Sequence, residues 1–294
     1  MASGTSEGVQ DEARASRAAP GPRPREIGLL ALLLVAFAPA LVEMAHAWST
    51  REEYSHGFLV PAVSLWAILR DRKRLARIAI RNDTAGLWLL LGALVLHALG
   101  SAAGLVEVSG LALVAALAGG VWWLRGAHSL RALAFPIGFL VFLIPLPEAW
   151  LAPVVVELRL FVTKGAVAVL HAFAVPVASE GNVLLLPGGG ELFVADACSG
   201  VTSLVTLTPL AVMLACFTER TLGRRLAIVA AVVPIALAGN LLRVIGTVLV
   251  ARRFGVEAAT EASAHQAAGL VAYVLGCLAL LGVGAAMRRL WPER

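Results

Sequence analysis

Charge is what this 294-residue chain has least of. Asp, Glu, Lys and Arg together make up 15% of it, against 59% hydrophobic residues and a mean hydropathy of +0.84. Soluble domains run nearer 25% charged, so a soluble globular class is excluded and a polytopic membrane protein is expected. Cysteine is nearly absent as well, with three in all. Three thiols cannot make a disulfide framework, and Cys216 and Cys277 lie inside apolar runs where they read as small hydrophobes. Neither a CxxC nor an HExxH spacing occurs, so no metal site and no cofactor are expected. The +5 net charge comes from arginines clustered between apolar runs. In a membrane protein such clusters are topology signals, which makes membrane lipid the expected partner and nucleic acid not one.

The organisation follows from run length. Residues 1–26 are polar, lack apolar periodicity and read as a disordered cytoplasmic tail. Residues 27–287 form one transmembrane domain, and residues 288–294 a basic cytoplasmic C-terminus. About eight segments are long enough, with tilt, to cross a core of ~30 Å. They are Ile27–Trp48 (retained, with no convincing cleavage site), Gly57–Leu69, Ala85–Gly104, Leu105–Leu124, Leu130–Pro147, Gly200–Phe217, Leu226–Ala251 and His265–Met287. Eight crossings put the basic groups 14–25, 70–81, 125–131, 220–225 and 288–294 on the cytoplasmic side, with Arg252 and Arg253 dissenting. The expected fold is therefore an all-α polytopic bundle with both termini cytoplasmic.

Between the fifth and sixth spans the pattern changes. Glu157, Lys164 and His171 recur every seven residues and share one helix face, as in an amphipathic helix lying at the outer interface or packed among the spans; Arg159 falls off that stripe. Two short apolar runs, Asn182–Leu186 and Glu191–Asp196, flank Pro187-Gly188-Gly189-Gly190 and read as a β-hairpin. Open strand edges cannot face lipid, so the hairpin is expected outside the membrane, delivering the chain to Cys198.

Cys198 differs from the other thiols. It stands in Ala195-Asp196-Ala197-Cys198-Ser199-Gly200, at the start of an apolar helix, where unpaired N–H groups favour a thiolate. Asp196 and Ser199 also suit a simple helix cap. Arg243, in Asn240-Leu241-Leu242-Arg243, and His265 fall at the same outer level by the span count. A thiolate, an imidazole and a cation are the set that nucleophilic attack on a carbonyl requires. Each also has a structural reading: a buried thiol, a snorkelling arginine, a polar helix start.

Taken together, Asp196-Ala197-Cys198-Ser199-Gly200-Val201-Thr202-Ser203, Asn240-Leu241-Leu242-Arg243, His265 with Gly269, and Tyr54-Ser55-His56-Gly57-Phe58-Leu59-Val60-Pro61 resemble the exosortase/archaeosortase family over roughly residues 27–287. The resemblance implies a membrane-embedded cysteine protease-transpeptidase of the bacterial cytoplasmic (inner) membrane with an extracytoplasmic site. Its partners would be exported proteins carrying a C-terminal tag of short motif (Pro-Glu-Pro in the best-known case), helix and Arg cluster, and an unknown acceptor. Carried over residue by residue, Cys198 is the nucleophile, Arg243 the oxyanion or substrate binder and His265 the acid/base, with Asp196, Ser199 and Asn240 in support. His56 is a rival base. The alternative from another class is a non-enzymatic transporter or assembly factor for surface polysaccharide, which calls for polar residues mid-span in several helices; His97 and Glu107 are the few present.

Overall fold

The computed structural model describes residues 23–187, 190–194 and 200–290, without the side chains of 262–266 and 290. The chain is mostly helical and divides into two compact units, Met1–Trp48 with Gly57–Pro145 and Ser49–His56 with Leu146–Arg294.

In the first unit, α1 (Pro24–Ala36) opens with a proline whose fixed φ suits a first turn. Its Glu26 accepts a forked pair of bonds from Arg125, Nε at 2.8 Å and Nη2 at 2.6 Å. The helix breaks at Phe37 because Pro39 has no N–H to give and its ring displaces the carbonyl four residues back. α2 (Ala38–Thr50) leaves at 66°. His97 repairs the break: its ring stacks on Phe37 with centroids 3.9 Å apart, and Nε2 lies 3.1 Å from the Ala36 carbonyl. A carbonyl only accepts, so Nε2 carries the proton. This mid-span histidine is thus fixed by backbone chemistry. α3 (Leu59–Arg70) and the short α4 (Arg72–Ala76) follow.

Next comes an antiparallel pair, α5 (Thr84–Ala102) and α6 (Val106–Arg125). Asp83 caps α5 by accepting from Ala85 N at 3.0 Å and ties α6 by accepting from Trp122 Nε1 at 2.8 Å. Gly86 and Gly119 let the two backbones touch, since a Cβ at either would collide with the other helix's main chain. α7 (Ala127–Ala132), α8 (Ala134–Phe139) and a 3-10 turn at Leu140–Leu143 complete the unit.

The second unit begins with Ser49–His56. Tyr54 is buried and its hydroxyl accepts from Leu146 N at 3.0 Å, while Arg51 pairs with Glu148 at 2.6 Å. α9 (Glu148–Ala172) buries Val162, Thr163, Ala166 and Leu170 and exposes Glu157, Lys164 and His171. It ends in a Schellman turn: Val175 N bonds Leu170 O and Ala174 N bonds His171 O, with Ala174 left-handed at φ 55. The expected hairpin is present with one strand more. β1 (Ala178–Glu180), β2 (Val183–Leu186) and β3 (Gly190–Phe193) pair antiparallel in that order. Leu184, Leu186 and Leu192 pack with Val162 and Leu170 of α9 in one apolar cluster. Then follow α10 (Val201–Thr218), α11 (Leu222–Ala230), α12 (Val232–Phe254), α13 (Val256–Thr260) and α14 (Ala262–Leu290).

Among the described residues five helices are long and apolar enough to cross a membrane, or up to seven if two broken helix pairs each count as one span. Eight were expected. Gly57–Leu69 yields a helix of 12 residues, about 18 Å long and short of the ~30 Å core. Leu130–Pro147 comes as three short pieces rather than one helix. The basic groups do share ends within each unit. Arg81 N bonds Arg125 O at 3.4 Å, and Glu219 binds Arg224 and Arg288 at 3.3 and 2.9 Å while its main-chain oxygen accepts from Arg225.

Glu219 is buried, as is Arg224. Glu219→Gln leaves that guanidinium facing a neutral amide, so the variant should lose about 3–5 kcal/mol of stability, read as a large drop in thermal midpoint in detergent. Ala174→Gly should raise the midpoint instead, by the equivalent of about 0.5–1 kcal/mol, because glycine adopts the left-handed turn without a Cβ penalty.

Candidate active site

The site is assembled by helix starts and small residues in the second unit. Gly200 precedes α10 with φ +87, a conformation that glycine takes at no cost. A Cβ built there would meet Asn240 Nδ2 at 3.4 Å, so the Asn240 side chain lies against the Gly200 backbone at the start of α10. Asn240 is buried, 2% exposed, inside α12. One turn further along that helix, Arg243 directs its guanidinium at α14: a Cβ on Gly269 would meet Nη2 at 3.4 Å. Gly269 lies one turn beyond His265 in the same helix. Main-chain geometry therefore brings three segments together, those carrying Gly200, Asn240 with Arg243, and Gly269.

Beside Arg243 a cavity of about 570 Å³ runs between α12 and α14. Its wall includes Gly239, Leu242, Gly246, Val271, Leu275 and Gly276. It is an apolar groove with one cation on it, and its glycines allow a backbone to approach closely.

Distance along the helices fixes the depth of the site. Leu222 to Arg243 is 21 residues of the Leu222–Phe254 span, a rise of about 32 Å at 1.5 Å per residue. Gly269 to Arg288 is 19 residues of α14, about 28 Å. The site and the Glu219 ion cluster thus stand roughly one hydrocarbon thickness apart, at opposite ends of the unit.

The sequence-selected residues fare unequally. Asn240 and Arg243 are brought together with Gly200 and Gly269. Asp196, Cys198 and Ser199 fall in 195–199, outside the described residues, and His265 is described by its helix backbone alone. His56 closes the Ser49–His56 segment of the same unit, two residues after the buried Tyr54. Tyr54 and Gly57 have architectural roles. The first anchors the segment at Leu146, and the second leaves room for the Trp48 indole, whose Nε1 donates to Leu143 O at 2.8 Å. Sequence reasoning set Arg159 aside, yet its guanidinium lies 5.9 Å from the ring of Phe193, the last residue of β3 and five positions before Cys198 in sequence. An arginine off the charged stripe of its helix was the available signal. Among the described residues no cluster of His, Cys, Asp or Glu is arranged to hold a metal.

The family model described as transmembrane exosortase (Exosortase_EpsH) matches residues 48–282. The chain belongs to this family. The match spans Tyr54–Pro61, Cys198, Asn240, Arg243 and His265. No curated protein and no solved structure matches the chain. It is accordingly an exosortase-family integral membrane protein with several apolar helices.

Gly200→Ala tests whether the turn matters to the site. The left-handed φ should cost an alanine about 1–2 kcal/mol, and Asn240 should lose its seat. Thermal midpoint in detergent and thiol labelling of Cys198 should both change, whereas Gly28→Ala, in open surroundings, should change neither.

Proposed function

We propose that this exosortase-family protein is a cysteine peptidase and transpeptidase that cleaves C-terminal sorting signals of exported proteins, of the Pro-Glu-Pro type, at the outer membrane–water boundary of the bacterial inner membrane. The observation that supports this most is the contact of Gly200, two residues past Cys198, with Asn240 and of Gly269, one turn past His265, with Arg243, which also lines an apolar groove.

In this scheme the substrate's single helix lies in the groove between α12 and α14, and its motif reaches Cys198. The Cys198 thiolate adds to the scissile carbonyl carbon, and the electron pair moves to the carbonyl oxygen. The Arg243 guanidinium offers paired N–H donors to that oxyanion, an interaction strengthened where water is partly excluded. As the tetrahedral centre collapses, the C–N bond breaks and His265 gives its proton to the departing amine. The thioester left on Cys198 passes its acyl group to an amine or to water, whose proton His265 takes. No cofactor takes part. Among the described residues the transporter reading has no comparable convergence of groups behind it.

The test is a tagged reporter co-expressed with variants and followed by cleavage. Cys198→Ala should abolish processing with protein level and fold retained; continued processing overturns the proposal. His265→Ala should lose about 10²–10⁴-fold in rate, the span of general acid–base catalysis, and His56→Ala far less; the reverse order transfers the role to His56. Arg243→Lys should also fail, because an ammonium lacks the fork. Gly246→Leu should raise KM for the helix-bearing reporter while leaving Cys198 alkylation by a small thiol reagent unchanged.

A further inference from the structure

The first unit holds a second cavity, of about 550 Å³, lined by Arg74, Ile78, Ala79, Arg81, His128, Arg131 and Ala132. Three guanidiniums and an imidazole share it with three apolar side chains, and no carboxylate lines it. Among the described residues none of these three arginines has an ion-pair partner, and the nearby acids are engaged elsewhere. Asp83 is held by Ala85 N and Trp122 Nε1, Glu26 by Arg125, and Asp71 stands 3.8 Å from Arg70. The cavity is built from fixed backbone. Arg81 N bonds Arg125 O, and Gly126, at φ +87, lies so close under the Arg81 carbonyl that any Cβ would collide with it. The loop after α4 is thereby clamped to the turn between α6 and α7.

The level of this cavity relative to lipid can be read from tryptophan. Trp66 lies one turn before the end of α3 and is 51% exposed, and Trp88 lies one turn into α5 and is 73% exposed. Trp122 and Trp123 precede the end of α6 by less than a turn. Indoles gather at the headgroup level of a bilayer, and all four stand at the helix ends that border the cavity. A cationic hollow at that depth, floored by Ile78, Ala79 and Ala132, suits a phosphate ester whose tails continue along the helices.

We propose that this cavity is a binding site for the phosphate of an anionic phospholipid headgroup, with Arg74, Arg81 and Arg131 as its ligands and His128 at its edge. The reading is independent of the chemistry at Cys198. It is tested on the full-length protein in neutral detergent by thermal midpoint and by native mass spectrometry, with added phosphatidylglycerol, phosphatidylcholine or inorganic phosphate. Phosphatidylglycerol should raise the midpoint and stay bound in the gas phase, and phosphatidylcholine should do neither. Because the three arginines are exposed, each Arg→Gln change should leave the fold intact and weaken phosphatidylglycerol binding about fivefold. Arg77→Gln, exposed but outside the cavity, should leave binding unchanged. Equal effects of the two lipids, or a triple Arg74→Gln, Arg81→Gln, Arg131→Gln variant that binds as the wild type does, would overturn the proposal. Full stabilisation by inorganic phosphate alone, lost in the triple variant, would overturn its lipid part and make the cavity a free-phosphate site.

Discussion

A bilayer offers no hydrogen-bond partner, so every polar group carried into these helices has to be matched within the protein. That constraint accounts for most of the architecture. In the first unit the Ala36 carbonyl at the helix break is taken by His97, and the charge of Arg125 by Glu26. In the second unit Glu219 gathers Arg224, Arg225 and Arg288 at the junction of α10 and α11 and the end of α14. A lone buried carboxylate would cost several kcal/mol; bound by its side chain to two guanidiniums, it becomes the pin that sets the register of three helices. Fixing that end fixes the far ends too, because a helix is a ruler of 1.5 Å per residue. The alignment of Gly200, Arg243 and Gly269 depends on it.

Two arginines of the same unit show how placement separates architecture from chemistry. Arg224 is buried against Glu219, its charge spent on a fixed pair. Arg243 projects between α12 and α14 beside Gly269, on the wall of an apolar groove. A cation on the wall of a groove, one turn from the residue that lies against Gly200, is positioned to meet charge that develops on something arriving from outside the fold. The enzymatic reading draws on that place in the groove wall, beside Gly269, and not on the presence of arginine in a span.

Much of this was readable in sequence, for identifiable reasons. Long apolar runs bounded by arginine gave α5, α6, α10 and α14 to within a few residues, and Leu226–Ala251 gave a span that the structure divides into α11 and α12, because hydropathy over 18 or more residues has few alternatives. The Gly-rich turn gave β2 and β3. Strand β1 escaped, since Ala-Ser-Glu has neither β-branching nor alternation, and it is held by pairing with β2 alone. The count of eight is not reproduced among the described residues: Gly57–Leu69 is short, and Ile27–Trp48 and Leu130–Pro147 are broken, with prolines inside or beside them. At the site, the motifs marked which residues matter but not which helix faces which. The seat of Asn240 at Gly200 joins positions 40 apart in sequence, and no periodicity encodes such a contact. The glycines were visible; their reason, a neighbour's side chain, was not.

The proposed function puts the site at a membrane boundary, and the sheet supports that reading. It is a three-stranded sheet with β1 and β3 at its edges, and open strand edges are not tolerated in hydrocarbon. Yet it packs through Leu184, Leu186 and Leu192 into the cluster that holds Val244, Val248 and Ala251, the part of α12 that follows Arg243. The same stretch of α12 thus lines the groove through Arg243, Gly246 and Val250 and meets the sheet through Val244, Val248 and Ala251. An acyl transfer at a membrane boundary profits from both sides. The apolar side seats a helix and strengthens the pull of a cation on an oxyanion, and the polar side admits the amine or water that must collect the acyl group.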